Sequence, residues 1–176
     1  MALLTEYSCR ATPGRRVVEV YDADAYLGDE DALAAARSQV VAGDGYHLYL
    51  RSLQPHIDVE VTIRIWDGSP PAPPADAEGD IAIGIESETG ILVVNQLGLG
   101  PAGETPLPRP GVYEGHAWWT NRQAVADYYD TTLDRLAEDP PDAWLLEAWH
   151  SCPVTERYVL DLTYIREPEP DPDDED

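Results

Sequence analysis

The chain has 176 residues and a formal net charge of −23, with 34 acidic residues against eleven arginines and no lysine. A hydrophobic content of 43% with five tryptophans excludes disorder for most of its length, and no apolar run approaches the roughly 18 residues of a membrane span. Such a charge excludes nucleic acid and anionic membranes as natural partners and favours a basic protein.

The first residues and the cysteines predict the compartment. The start, MALLTEYSCRATPGRR, lacks the basic region of a signal peptide, and Cys9 and Cys152 have no metal-binding spacing. We therefore expect a cytoplasmic protein, for which free thiols are the default. The absence of lysine beside much Ala, Gly and Pro leaves open whether the acidity is functional or a coding bias.

Alternation of apolar and polar residues predicts seven strands along the chain. The segments are 15–24, 45–52, 56–68, the two halves of a hairpin over 80–96, 108–121 and 156–167. Residues 69–79, with four prolines, and 97–111 are predicted to be loops, because proline removes backbone donors and fixes φ.

Helical patterns lie between these strands. Residues 28–45 predict a helix with an acidic start and a glycine exit at Gly43 and Gly45. Thr120-Asn121-Arg122-Gln123 matches a capping box for a longer helix that ends before Pro140-Pro141. Residues 142–151 fit a short helix or a strand, and their apolar spacing favours the helix.

These elements predict a mainly β protein, a two-layer antiparallel β-sandwich of about seven strands with one or two inserted helices. Residues 1–166 form a single domain in this prediction, with a helical insertion near 120–155. The tail 167–176 has seven acids and no apolar residue to bury, so we expect it to be disordered and dispensable for folding.

No catalytic or metal-binding motif is found in the sequence. The acid-rich segment 22–33 lacks the glycine and the final glutamate of a calcium loop, and the four histidines are scattered. Glu86 and Glu88 share one predicted strand face, but paired acids are ordinary in so acidic a chain. We expect no metal, no cofactor and no enzymatic activity.

The segment PRPGVYEGHAWWTN (108–121) is richest in residues typical of binding sites. Alternation places Tyr113, Gly115, Ala117 and Trp119 on a core face and Val112, Glu114, His116 and Trp118 on an outer face. A buried seam is the favoured interpretation. The alternative is a small-molecule- or carbohydrate-binding sandwich, or a hydrolase, whose site would contain Glu114, His116, Trp118, Trp144 and Trp149.

The order of motifs resembles the competence protein J family, small β-sandwich inhibitors of a DNA-entry nuclease. The matching segments span residues 16–166 and are VVEVYDAD, DEDALAAARSQ, GDGYHLYL, IAIGIESETGILVV, LPRPGVYEGHAWW and RYVLDL. Residues 120–155 look like an insertion that the simple family pattern lacks. The resemblance implies a non-enzymatic protein that binds and silences a nuclease.

The leading hypothesis is an acidic protein-binding module, an inhibitor or immunity-type protein for a basic enzyme such as a nuclease. A carboxylate-rich surface can imitate phosphate spacing and compete for a basic cleft. The predicted binding surface consists of Asp22, Asp24, Asp29, Glu30 and Asp31. An interaction domain without inhibitory activity shares all of these features.

Overall fold

The computed structural model of the chain describes residues 2–25, 27–135 and 142–170, and within these ranges it forms ten strands, three α-helices and one short 3-10 helix at Gly14–Arg16. The strands are β1 (Ala2–Ala11), β2 (Val17–Asp22), β3 (Val41–Gly43), β4 (His47–Arg51), β5 (Val59–Asp67), β6 (Gly79–Ser87), β7 (Ile91–Gln96), β8 (Gly100–Pro106), β9 (Gly111–Thr120) and β10 (Arg157–Arg166). The helices are α1 (Glu30–Gln39), α2 (Arg122–Arg135) and α3 (Asp142–His150).

The strands form two sheets of five. The first sheet has the order β1-β5-β10-β9-β6, and the second has the order β3-β4-β2-β7-β8. Every pairing within them is antiparallel except that of β10 with β5: the last strand lies between β5 and β9, parallel to the first and antiparallel to the second. The mainly β, sandwich-like architecture is confirmed, with one parallel pair in place of a purely antiparallel arrangement.

The prediction of about seven strands is wrong in number, and the three strands it missed are all edge strands. β1 borders the first sheet, while β3 and β8 border the second. An edge strand has one neighbour and buries fewer side chains, so its alternation of apolar and polar residues is weak; most of β1 is exposed or half-buried. β8 lies in the segment predicted as a loop, and an edge tolerates its Pro101 and Pro106.

The core lies between the two sheets and follows the predicted alternation. Val59, Val61, Ile63 and Ile65 of β5 are fully buried, as are Leu160 and Leu162 of β10. Each such side chain contributes roughly 1.5–3 kcal/mol when it is removed from water. On β9, the predicted core residues Tyr113, Ala117 and Trp119 belong to this cluster.

Helix α1 covers the outer face of the second sheet. Asp29 caps it by accepting the backbone N–H of Ala32 at 2.8 Å, and Ala32 and Ala36 pack against Val17 and Tyr49. The helix ends at Gln39, before the predicted exit at Gly43, because residues 41–43 pair with β4 as β3.

Helices α2 and α3 connect β9 to β10, and residues 142–150 are helical as the apolar spacing favoured. The predicted capping box does not form. Thr120 is the last residue of β9, and Asn121 has a positive φ of 61° with its side chain donating to the carbonyl of Thr155 at 3.0 Å. The backbone N–H of Arg122 instead donates to Glu78 at 3.1 Å. The predicted stop at Pro140-Pro141 lies outside the described residues.

None of the helices in the described ranges is both long and apolar enough to cross a membrane. The single domain over residues 1–166 stays a prediction. Of the acidic tail, residues 171–176 lie outside the described ranges, while the backbone N–H of Glu169 donates to Glu86 at 2.8 Å.

Candidate functional site: an acidic edge around Tyr46

The turn between β3 and β4 presents an aromatic side chain to water. Gly45 has a φ of 96°, a conformation that strains other residues, and Asp44 accepts the backbone N–H groups of Tyr46 and His47, each at 2.8 Å. These bonds fix the turn, and the Tyr46 side chain is 45% exposed. The sequence GDGY therefore builds a rigid support for an exposed phenol.

Carboxylates surround Tyr46 on several sides. Two shallow depressions, of about 190 and 280 Å³, share Tyr46 and Glu86 in their walls. We call this surface the acidic edge, defined as Asp24, Asp44, Tyr46, Glu86, Glu88 and Glu169. Among the described residues that line the two depressions, Arg166 is the single base.

The field at the acidic edge is negative. The charge of Glu86 is the largest cause that raises the pKa of Tyr46, followed by a hydrogen bond that the phenol donates to the same carboxylate, partial burial, and the charges of Glu169 and Glu88. A phenol that resists ionisation reports surrounding negative charge. The acidic edge therefore repels anions and attracts cationic groups.

Asp22 lies beneath this surface and ties two turns together. It is buried and accepts hydrogen bonds from Ser87 Oγ, from the hydroxyl and backbone N–H of Thr89, and from the backbone N–H of Asp24 at 3.0 Å. Burial by itself would raise the pKa of Asp22, but the bonds from Ser87, Thr89 and Asp24 outweigh it and lower that pKa. Asp22 thus supports the acidic edge from inside.

The other predicted acids occupy different positions. Asp24 is exposed and belongs to the acidic edge. Asp29 caps α1, and its own backbone N–H donates to the Tyr49 hydroxyl at 2.8 Å. Glu30 and Asp31 are exposed in the first turn of α1, where their charges favour the positive end of the helix dipole. The sequence-based set therefore divides between the acidic edge and the start of α1.

The outer face of β9 surrounds a buried carboxylate on β10. Asp161 accepts from Arg64 at 2.7 and 3.0 Å and from the indole N–H groups of Trp66 and Trp118, each at 2.9 Å. His116 lies 3.7 Å from the same carboxylate. Trp118 is 7% exposed, which agrees with the interpretation of a buried seam.

Gly115 permits the close pairing behind this seam. A Cβ at position 115 would overlap the carbonyl oxygen of Asp161 and lie 3.2 Å from the Cα of Leu162. Gly115 therefore makes room for the backbone of β10 and not for a neighbouring side chain.

The alternative set of site residues does not line one cavity. Glu114 is exposed and lines the depression beside Arg166, while His116 and Trp118 face Asp161. Trp149 on α3 is buried against Tyr129, with ring centroids 4.8 Å apart.

Trp144, the remaining member of that set, is on the same helix and is 60% exposed. Within the described ranges, no group of three His, Cys, Asp or Glu side chains is arranged to hold a metal ion. Cys9 and Cys152 are both free thiols.

Tyr46 and Asp44 were not predicted from the sequence as site residues, and Glu86 and Glu88 stood out there only as paired acids on a predicted strand face. Glu86 is the second-last residue of β6 and Glu88 lies beyond its end, so they do not share a strand face. Asp44-Gly45-Tyr46 was visible as a turn, but nothing local indicated that the β6–β7 turn lies beside it. The backbone N–H of Glu86 donates to the carbonyl of Gly45 at 2.7 Å and joins the two.

Comparison with known proteins shows the fold. No protein-family model matches the sequence, and no curated protein matches it either. The structure is similar to the crystal structure of ComJ from Bacillus subtilis, inhibitor of the DNA-degrading activity of NucA, with a TM-score of 0.58 and 8% identity over 93% of this chain and 98% of that one. It is also similar to a structure described as crocagin biosynthetic gene J, with a TM-score of 0.51 and 14% identity over 94% of this chain and 100% of that one. The distant resemblance predicted from the motif order is therefore confirmed at the level of the fold.

Proposed function

We propose that this protein is a non-enzymatic binding module that inhibits a basic enzyme, such as a nuclease, through its acidic edge. The observation that carries the proposal is an exposed tyrosine among carboxylates, on a hydrogen-bonded turn of a strongly acidic chain. The fold likeness to ComJ, which is an inhibitor of a nuclease, supports the same conclusion.

The chemistry of the acidic edge suits a cationic cleft. A guanidinium group stacks on the face of an aromatic ring and forms charge-assisted hydrogen bonds with carboxylates. Tyr46 offers the ring, while Glu88 and Asp44 are exposed carboxylates beside it. A nuclease that binds phosphates with arginine or lysine presents such cations, so the acidic edge would occupy the substrate's place.

The negative field also favours rapid encounter with a basic partner. Complementary charge raises association rates, whereas a central aromatic anchor lowers the rate of dissociation. Truncation of such an anchor costs about 2 kcal/mol or more. We therefore expect Tyr46 to determine affinity, and Glu88 and Asp24 to determine the salt dependence of association.

The test is affinity capture from the cells that produce the protein, at low and physiological salt, followed by an activity assay. The baits are the wild type, the double variant Tyr46→Ala/Glu88→Lys, and Asp76→Lys as a control. Asp76 is exposed and lines neither depression, so Asp76→Lys changes the net charge by the same amount as Glu88→Lys but outside the acidic edge. A captured basic enzyme is then purified and its activity measured against increasing amounts of each bait.

We expect the wild type and the Asp76→Lys control to inhibit the captured enzyme with similar potency. At least about tenfold more of the double variant should be needed for the same degree of inhibition, which corresponds to a loss of about 1.4 kcal/mol in binding free energy. Equal inhibition by all three baits, or the recovery of no enzyme that the wild type inhibits, would refute the proposal. A further bait, Glu30→Gln/Asp31→Asn, tests whether the start of α1 contributes to inhibition independently of the acidic edge.

A further inference from the structure

A second surface feature, a cavity of about 730 Å³, lies at the other end of the first sheet. Thr12 follows β1, Asp58 precedes β5 and Thr155 precedes β10, and all three line it. The acidic edge instead adjoins Glu86 near the end of β6 and Glu169 beyond β10. The two sites are thus separated by the length of β10, roughly 30 Å at 3.3 Å per residue.

The walls of the cavity are apolar and partly exposed. Ile57 and Trp149 form its buried part, whereas Leu146 is 57% and Leu133 is 43% exposed at its rim. Val154 is a third exposed apolar side chain there. Exposed apolar groups around a concave site are typical of ligand binding, and the volume lies within the range of about 300–1,000 Å³ for small-molecule sites.

The polar groups of the cavity are mainly basic. Arg10, His56 and His150 line it against one described carboxylate, Asp58, which already accepts the hydroxyl of Thr12 at 2.7 Å. Arg10 makes no ion pair with another described residue. Counted with neutral histidines, as in the net charge of −23 for the whole chain, Arg10 and Asp58 give the described lining no net charge, so this cavity lacks the acidity of the rest of the protein.

Further charged side chains lie close to the residues that support the cavity. Burial raises the pKa of Tyr129, the charge of Arg16 opposes that rise and the charge of Asp130 adds to it, so Arg16 and Asp130 both lie close to the phenol that contacts His56. Burial lowers the pKa of Arg51, and the charges of Arg37, Arg16 and Arg122 lower it further. Guanidinium groups are therefore clustered at this end of the molecule.

The walls are held in place by contacts between the helices and the sheet. His56 Nδ1 lies 2.8 Å from the Tyr129 hydroxyl, and the His56 ring stacks on Trp149 with centroids 6.0 Å apart. The hydroxyl of Tyr128 on α2 donates to the carbonyl of Ala148 on α3 at 2.6 Å. A ligand therefore meets a largely preformed site and loses little free energy in ordering it.

We propose that this cavity binds a small organic anion with one carboxylate and an apolar body, such as a medium-chain fatty acid. Arg10 binds the carboxylate with paired N–H groups, because a guanidinium fits a carboxylate in that geometry. The apolar body lies along Trp149 and Leu146 and covers the exposed rim. The site is separate from the acidic edge, so the two proposals stand or fall independently.

The test compares three probes of equal chain length and different head groups. Octanoate, octanol and octylammonium are titrated calorimetrically into the full-length protein at neutral pH. We expect octanoate to bind at least about tenfold more tightly than octylammonium, a difference of about 1.4 kcal/mol, with octanol between them. Equal affinities for the three probes, or no binding of octanoate at millimolar concentration, would overturn the proposal.

Substitutions test which residues bind the carboxylate of octanoate and which contact its apolar chain. Arg10→Gln should lower the affinity for octanoate by at least about tenfold and leave the affinity for octanol unchanged. Leu146→Ser should lower the affinity for both probes. Arg109→Gln makes the same charge change on a residue that stacks on Tyr164 and does not line the cavity, so its affinities should equal those of the wild type. Both substituted cavity residues are exposed, so folding should persist, and circular dichroism checks it. Unchanged octanoate affinity in Arg10→Gln refutes the assignment of the head group.

Discussion

The Asp161 cluster gives the sharpest stability prediction, through the substitution Asp161→Asn. The carboxylate is fully buried and accepts four hydrogen bonds, two from Arg64 and one each from Trp66 and Trp118. An asparagine amide keeps one oxygen and turns an N–H group toward donors that previously met the other oxygen. It also leaves the Arg64 guanidinium without its counter-charge.

The expected loss follows from these contacts. Each donor left unsatisfied costs about 1–3 kcal/mol, and the Arg64 guanidinium, which is 24% exposed, also loses its buried counter-charge. We expect Asp161→Asn to lose about 3–5 kcal/mol, a large part of the 5–15 kcal/mol typical of a folded domain. With a urea slope of about 2 kcal/mol/M, the unfolding midpoint would fall by about 2 M.

The pH dependence provides a second readout of the same contacts. Burial by itself would raise the pKa of Asp161, but hydrogen bonds from Arg64, Trp66 and Trp118 outweigh it and lower that pKa. A lowered folded-state pKa gives stability that is present above the unfolded value of about 3.9 and is lost as the pH falls through the folded value. The variant should therefore lose less stability than the wild type on acidification below about pH 5.

The measurement is urea unfolding between pH 3 and pH 7, with Asp80→Asn as the control. Asp80 is exposed on β6 and pairs across from Trp118, so its substitution should change stability by less than about 0.5 kcal/mol. The reasoning is refuted if Asp161→Asn loses less than about 1 kcal/mol at pH 7. An acid profile parallel to that of the wild type would show that the lowered pKa contributes nothing.

Two further substitutions test the fold at other positions. Gly115→Ala should lose about 1–3 kcal/mol of stability because its Cβ meets the backbone of β10. The control Gly84→Ala should be nearly neutral, because its Cβ would lie 3.7 Å from Glu114 Cγ. Similar urea midpoints for the two variants would contradict this prediction. Burial raises the pKa of Glu156, although hydrogen bonds from Tyr158, Ser52 and Gln54 partly oppose it. A raised folded-state pKa gives stability that is present below the unfolded value of about 4.3 and is lost as the pH rises through the folded value. The free energy of unfolding of Glu156→Gln should therefore rise relative to that of the wild type between about pH 4 and pH 7, as measured by urea unfolding. A difference that stays constant over this range would contradict the prediction.

The elements that the sequence predicts well are those in which packing repeats along the chain. β5 and β10 have neighbours on both sides and a buried face, so burial follows the period of the strand. The alternation of β9 likewise identified its core face. At the edges of the sheets, β1 and β8 bury too few side chains for their composition to show a period.

The candidate sites could not be predicted because no local pattern encodes them. The acidic edge is assembled from the end of β2, the β3–β4 turn, the β6–β7 turn and the residues after β10. The cavity likewise combines the end of β1, the segment before β5 and both helices of the β9–β10 connection. The composition predicts a negative net charge, but only the topology determines which charged side chains become neighbours.

That topology separates the charges along the first sheet and thereby makes the two proposals independent. Exposed carboxylates collect beside Tyr46, where β10 ends, whereas Arg10 lines the cavity, where β10 begins. Ions at physiological concentration screen exposed charges over about 8 Å, much less than the roughly 30 Å between the two ends. A charge changed at Glu88 should therefore leave octanoate binding intact, and Arg10→Gln should leave enzyme inhibition intact.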